Sequence, residues 1–157
     1  MKLYIKQKVF SWKDKFFVKD EYGQDKYYVE GELFSWGRKL HVYDMNQREV
    51  AFIAQKVMAF LPEYHVSLEG REAAVVKQKF SFFRPKYEIY GPGWTVEGSF
   101  WLHDYDIFKD GSYIVSINKE WMTWGDSYEL NIFNDEDELL ALAVVLSIDC
   151  AVAQNNN

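Results

Sequence analysis

Residues Leu139 to Ala153, LLALAVVLSIDCAVA, present no polar face, because only Ser147 and Asp149 interrupt the run. A surface helix alternates faces every three to four residues, whereas a segment that is apolar all round lies in a core or a membrane. The acidic run Asp135, Glu136, Asp137 and Glu138 precedes it. Asp135 and Glu138 have the spacing of a capping box, and all four carboxylates complement the positive end of a helix dipole. The pattern predicts a helix over 135–152.

Spanning a bilayer takes about 20 mostly apolar residues, and an aspartate at mid-span costs about 2.5–3.5 kcal/mol. This run has 15 residues and contains Asp149. It is too short and too marked for a membrane span. A helix about 27 Å long and about 10 Å wide suits the lumen of a large closed β-barrel, so the preceding residues are expected to wrap around it.

Those preceding residues read as strands. Short β-branched and aromatic runs, separated by turn residues, fit 3–9, Lys15–Lys19, Lys26–Leu33, Lys39–Tyr43, Arg48–Val57, Tyr64–Leu68, Ala73–Phe80, Lys86–Tyr90, Thr95–His103, Tyr105–Phe108, Tyr113–Asn118 and Tyr128–Phe133. Two stretches repeat at a spacing of 24 residues, FSWKDKFFVKDEYGQDKYYVEG from Phe10 and FSWGRKLHVYDMNQREVAFIAQ from Phe34. Val18 then matches Val42, and Asp20 matches Asp44. A weaker third copy begins at Phe80-Ser81-Phe82. Repetition on this scale implies one hairpin unit used several times in a closed sheet.

The Phe-Ser-Trp hairpins, the segment VEGELFSWGRKLHVYD, the strand SYELNIF and the acidic lead into LLALAVVLSIDCAVA resemble the LURP-one-related family. That family belongs to the Tubby C-terminal-like superfamily, which also holds the phospholipid scramblases. The resemblance covers residues 1–152. It implies a mainly β fold, a closed antiparallel barrel of about twelve strands around a central hydrophobic C-terminal helix. One departure is the second turn, where Asn46-Gln47 stands against Gly23 of the first copy; Asn46 is the residue that tolerates a left-handed backbone.

A chain of 157 residues fits one domain, expected here over 1–153 with a disordered tail at 154–157. The single cysteine, Cys150, excludes a disulfide framework and a cysteine-ligated zinc site, and suits a reducing compartment. MKLYIKQKVF has a lysine every few residues and no apolar run of seven or more, so neither a signal peptide nor an N-terminal anchor is expected. The expected location is the cytoplasm, peripheral at the membrane where lipid is bound.

Candidates for chemistry are few. By strand parity His41, His65 and His103 should all face solvent, and no hydrolase, zincin or phosphate-loop motif accompanies them. Asp104 and Asp106 are weak candidates for paired cation ligands, since calcium needs six to eight oxygens from a dedicated loop. Asp149 should find a structural partner, a basic side chain or backbone donors at the barrel mouth. Trp12 and Trp36 recur with the repeat and read as architectural. Neither a catalytic residue, a metal site nor a cofactor is expected.

The charges divide unevenly. Residues 1–86 carry 16 Lys+Arg against 11 Asp+Glu, and residues 87–157 carry 2 against 13, giving +5 and −11. Basic residues recur two apart, as Lys6 and Lys8, Lys13 and Lys15, Lys77 and Lys79, and Arg84 and Lys86. Of these, Lys77, Lys79, Arg84 and Lys86 are the candidate patch for an anionic ligand. The superfamily resemblance implies anionic phospholipid or phosphoinositide head groups as the ligand. The residues themselves lead us to expect a non-enzymatic module that is not transmembrane and has no nucleic-acid partner, with a solvated barrel wall the other account of the basic pairs. A protein-interaction module without a lipid role is the alternative, and scramblase activity the third reading.

Overall fold

The computed structural model describes residues 1–6, 15–32, 36–120 and 127–155. Within them alternate side chains turn inward along each strand, as in β6, where Tyr64 and Val66 are buried and His65 and Ser67 point out. The strands are β1 (Lys2–Lys6), β2 (Lys15–Asp20), β3 (Asp25–Gly31), β4 (Lys39–Asp44), β5 (Glu49–Gln55) and β6 (Glu63–Leu68). They continue as β7 (Arg71–Lys79), β8 (Lys86–Tyr90), β9 (Trp94–Ser99), β10 (Asp104–Lys109), β11 (Ser112–Glu120) and β12 (Ser127–Ile132). Each pairs antiparallel with its sequence neighbours, and β1 pairs with β12 as well, Leu3 opposite Leu130. The sheet therefore closes and leaves no edge strand to pair with another chain.

Twelve strands about 4.8 Å apart and tilted by about 40° enclose a tube roughly 24 Å across, which inward side chains narrow to about the width of one helix. The helix that fills it is α1 (Glu138–Asn155). Every residue from Ala141 to Ala151 is buried, three full turns with no exposed face, and α1 packs chiefly on β5, β6 and β7. Cys150 lies in this run, and burial pushes its thiol up to about 12, with the Arg38 guanidinium pulling down and Asp149 pushing up.

The ends of α1 depart from expectation. Asp135–Asp137 form a separate 3-10 turn, and the helix begins at Glu138 rather than 135. No capping box forms, because the Glu138 carboxylate is engaged elsewhere: it accepts from Lys26 Nζ at 3.0 Å and from the Tyr27 hydroxyl. The helix also runs beyond 152. Gln154 and Asn155, expected in a disordered tail, are helical and bonded, Tyr64 donating to Gln154 Oε1 at 2.9 Å and Asn155 Nδ2 to Gln78 Oε1 at 2.7 Å. Residues 156 and 157 lie outside the described residues.

The sequence repeat is a structural one. In the β2–β3 turn Asp20 Oδ1 accepts the amides of Tyr22 and Gln24 at 2.9 Å each. In the β4–β5 turn Asp44 Oδ1 accepts those of Asn46 at 2.9 Å and Arg48 at 3.0 Å. The register slips at matching places, between Val18 and Lys19 and between Val42 and Tyr43. The left-handed residue of the second turn is Gln47 (φ 64°), aligned with Gly23 (φ 79°), and not Asn46. A side chain there costs about 1–2 kcal/mol, part of which glycine forfeits in chain entropy. Gln47→Gly should stabilise the fold by about 0.5–1 kcal/mol. The check is a higher urea midpoint at unchanged m-value; a lower midpoint would show that Gln47 contributes a contact outweighing its backbone strain.

Antiparallel closure sorts the connections into two ends. Tight turns follow β2, β4, β6, β8 and β10, and α1 enters the barrel at that end. Longer connections follow β3, β5, β7 and β9 at the other end, where Gln154 and Asn155 mark the exit of the helix.

Candidate functional site

The end with the longer connections carries most of the exposed apolar side chains, although Tyr22 and Phe133 are exposed at the tight-turn end. Residues 56–62, between β5 and β6, hold Met58 and Phe60, 93% and 98% exposed. Residues 80–85, between β7 and β8, hold Phe80, Phe82 and Phe83, the last 96% exposed. Trp101 and Leu102 are exposed between β9 and β10. Strand parity does not govern these residues, because each sits where the chain has left the sheet. Trp36, read from the repeat as architectural, stands 75% exposed at the same end and is not a core residue. Trp12 lies outside the described residues, as do Phe10, Ser11, Phe34, Ser35, Lys8 and Lys13.

The four candidate cations share one hairpin. Lys77 and Lys79 point outward from β7, Lys86 stands directly opposite Lys79 on β8, and Arg84 is exposed in the connection between them. Lys77 Nζ lies 3.7 Å from Glu63 Oε1, and Lys79 Nζ lies 3.8 Å from Glu88 Oε2. Both ammonium groups sit 5.3 Å from the centroid of the Tyr90 ring, and the contact with Tyr90, ahead of the Glu88 charge, holds the pKa of Lys79 above its ordinary value. Lys77 and Lys79 are thus both drawn toward Tyr90 on the barrel wall, while Lys86 and Arg84 stand nearest the apolar connection of residues 80–85. No carboxylate occurs in residues 56–62, 80–85 or 100–103. The tight-turn end is the acidic one, with Glu21, Glu69, Asp110 and Asp135–Asp137.

His103 departs from the expectation drawn for it. Extending the β9 alternation to residue 103 places it on a solvent face, but β9 ends at Ser99 and His103 turns with a φ of 49°. Gly98 lies one residue before the end of β9. Its φ is 133°, and a Cβ there would lie 2.5 Å from the Tyr105 Cα, so only glycine lets β9 and β10 approach this closely. The imidazole turns inward, stacks on Tyr128 at 3.9 Å and brings Nε2 to 3.1 Å from Asp149 Oδ1. Tyr128 donates its hydroxyl to Asp149 Oδ2. Asp149 thus has the partners a buried carboxylate requires, a histidine and a phenol, near the barrel mouth.

Around that carboxylate the hydroxyls of Tyr87 and Tyr105 are buried without a partner among the described residues. Burial, and after it the Asp149 charge, pushes the pKa of both phenols upward. Arg38 adds a further tie by donating from Nη1 to the Cys150 carbonyl at 2.8 Å. The cluster fastens α1 to β12 and to the β9–β10 connection.

His41 and His65 lie on the outer wall, each held between two glutamates. His41 meets Glu32 at 2.8 Å and Glu49 more closely, and His65 meets Glu63 and Glu72 at 2.8 Å each. Partial burial lowers the pKa of His41, but hydrogen bonds to Glu49 and Glu32 outweigh it and hold it above the ordinary value. Asp106 accepts from Ser116 Oγ at 2.5 Å across to β11. Near the tight-turn end a groove of about 490 Å³ is floored by Phe17, Tyr28, Tyr43 and Met45. Its carboxylates are committed, Glu30 to Lys15 at 3.2 Å and Asp44 to its own turn.

Residues 1–149 match the family model described as LURP-one-related. The chain belongs to the LURP-one-related family. Among relatives, 149 residues are 36% identical to the uncharacterised protein YxjI of Bacillus subtilis (strain 168), an alignment covering 95% of this chain and 92% of that one. An X-ray structure of a protein from Arabidopsis thaliana has the same fold at a TM-score of 0.65, with 15% identity over 92% of this chain and 88% of that one. The expected closed antiparallel barrel around a C-terminal helix is the fold observed. No helix among the described residues is long and apolar enough to cross a membrane.

Proposed function

We propose that this LURP-one-related chain is a non-enzymatic module that binds anionic phospholipid head groups. One observation carries the reading: Lys79 and Lys86 stand directly opposite each other on the outer face, and Arg84 follows in a connection free of carboxylates. Like charges in directly opposed positions destabilise a sheet, so placing Lys86 opposite Lys79 does not help the fold, although Lys79 itself contacts Glu88 and Tyr90. Near an anionic surface each basic residue contributes about 1 kcal/mol, so three give about 3 kcal/mol, weaker than a millimolar dissociation constant at about 4 kcal/mol. The cations alone orient the protein, and a second contribution is needed to hold it.

Sedimentation with vesicles of phosphatidylcholine containing phosphatidylserine tests this reading. The parent should bind at low salt, and Lys79→Glu/Lys86→Glu should bind at least tenfold more weakly, since each reversal replaces attraction by repulsion. Equal binding by the two proteins would return the lysines to a solvated wall. The aromatic groove lined by Phe17, Tyr28, Tyr43 and Met45 supports the second reading, a protein-interaction module, because it offers a peptide planar apolar faces on a rigid sheet.

A further inference from the structure

Resting on the lipid reading above, we infer that the protein docks on anionic membranes end-on, by inserting aromatic side chains of its longer connections into the bilayer interface. The pieces are Phe82 and Phe83 of residues 80–85, Met58 and Phe60 of residues 56–62, and Trp101 of residues 100–103. Three adjacent connections bring them to one end of the closed barrel, so they form an arc of projections along one side of the helix exit. Phe80 and Phe82 touch each other edge to face at 5.3 Å, yet both stay exposed. Packing against the fold therefore does not account for them. Aromatic side chains flanked by cations are the chemistry that membrane–water interfaces favour.

Charge selects the occupant and its orientation. The three connections hold Lys56 and Arg84 and no carboxylate, with Lys79 and Lys86 at the base of the middle one. Glu21, Glu69, Asp110 and Asp135–Asp137 lie at the opposite end. The chain has a net charge of −6, and Glu32, Glu63 and Asp104 stand beside the aromatic connections, but Glu21, Glu69, Asp110 and Asp135–Asp137 are farthest from the surface in this pose. An anionic bilayer thus attracts the aromatic end and repels the other. The central helix stays in the barrel, and the contact is peripheral.

The test uses the full chain with three vesicle types, phosphatidylcholine alone and with phosphatidylserine or phosphoinositide, at low and high salt. Phe82→Ser/Phe83→Ser removes two side chains already in water, so its melting temperature should match the parent. Its partition onto anionic vesicles should fall by about 100-fold at both salts, since each buried phenylalanine is worth about a factor of ten or more. Lys79→Glu/Lys86→Glu should lose only the salt-sensitive part. The parent should also raise the pressure of an anionic lipid monolayer, and the phenylalanine variant should not. Equal vesicle binding by parent and phenylalanine variant, or complete release of the parent by salt, overturns insertion and leaves head-group binding standing. No binding of the parent to any anionic vesicle removes both. If the parent is instead a dimer that Phe82→Ser/Phe83→Ser dissociates, with no lipid binding, the aromatic end is a protein interface and the inference fails.

Discussion

Leu142→Asp leaves no folded protein. Leu142 is fully buried, and so are its neighbours Ala141 and Ala143 and every residue onward to Ala151, so no rotation of α1 about its axis moves position 142 to water. Removing the leucine side chain alone, as in Leu142→Ala, costs about 3–5 kcal/mol in lost transfer energy and residual cavity. The aspartate adds a polar group with no partner, at about 2–7 kcal/mol even when it takes up a proton to avoid burying charge. Together these come to about 5–12 kcal/mol, comparable with the roughly 5–15 kcal/mol that an ordinary domain has in total. The expected result is an insoluble chain, or a soluble one with no cooperative melt by circular dichroism. Glu136→Ala, on the exposed 3-10 turn, should change stability by no more than about 0.5 kcal/mol. A Leu142→Asp protein that melts cooperatively would mean that the lumen is open to water.

The strands and the filling helix were legible because each obeys a local rule. Alternation such as Tyr64-His65-Val66 places one face on the core, and Asp20 and Asp44 start matching turns by bonding the amides that follow. What could not be read locally was decided by partners distant in the chain. Glu138 has capping spacing, but it is held by Lys26 and Tyr27, which lie 112 and 111 positions away. His103 follows a run that alternates, but β9 ends at Ser99 and the ring turns in to Asp149, 46 positions away. The aromatic end was hidden for a related reason. Phe82, Phe83 and Trp101 read in a sequence as β-formers or core, and their exposure follows from the closure of the sheet. One signal was present, the lack of any carboxylate in 56–62, 80–85 and 100–103 within a chain holding 24 of them.

Asp149→Ala should lower stability by about 2–6 kcal/mol, because two buried donors lose their common acceptor. The carboxylate is 7% exposed and is the acceptor for both His103 Nε2 and the Tyr128 hydroxyl. Without it two buried donors lose their partner, at about 1–3 kcal/mol each. Neither can turn to solvent, since the His103 ring lies flat on Tyr128 and Tyr128 is fully buried. Asp149→Asn keeps one acceptor oxygen and should lose less. The decisive measurement is a double-mutant cycle in urea, combining Asp149→Ala with Tyr128→Phe. Replacing both partners by apolar groups removes the unsatisfied hydroxyl as well as its acceptor, so the pair should destabilise by about 1–2 kcal/mol less than the sum of the single changes. Additivity within about 0.5 kcal/mol would show that the two groups do not share a bond in solution. In that event Asp149 holds α1 in register through His103 alone, and His103→Ala, not Tyr128→Phe, would show the coupling.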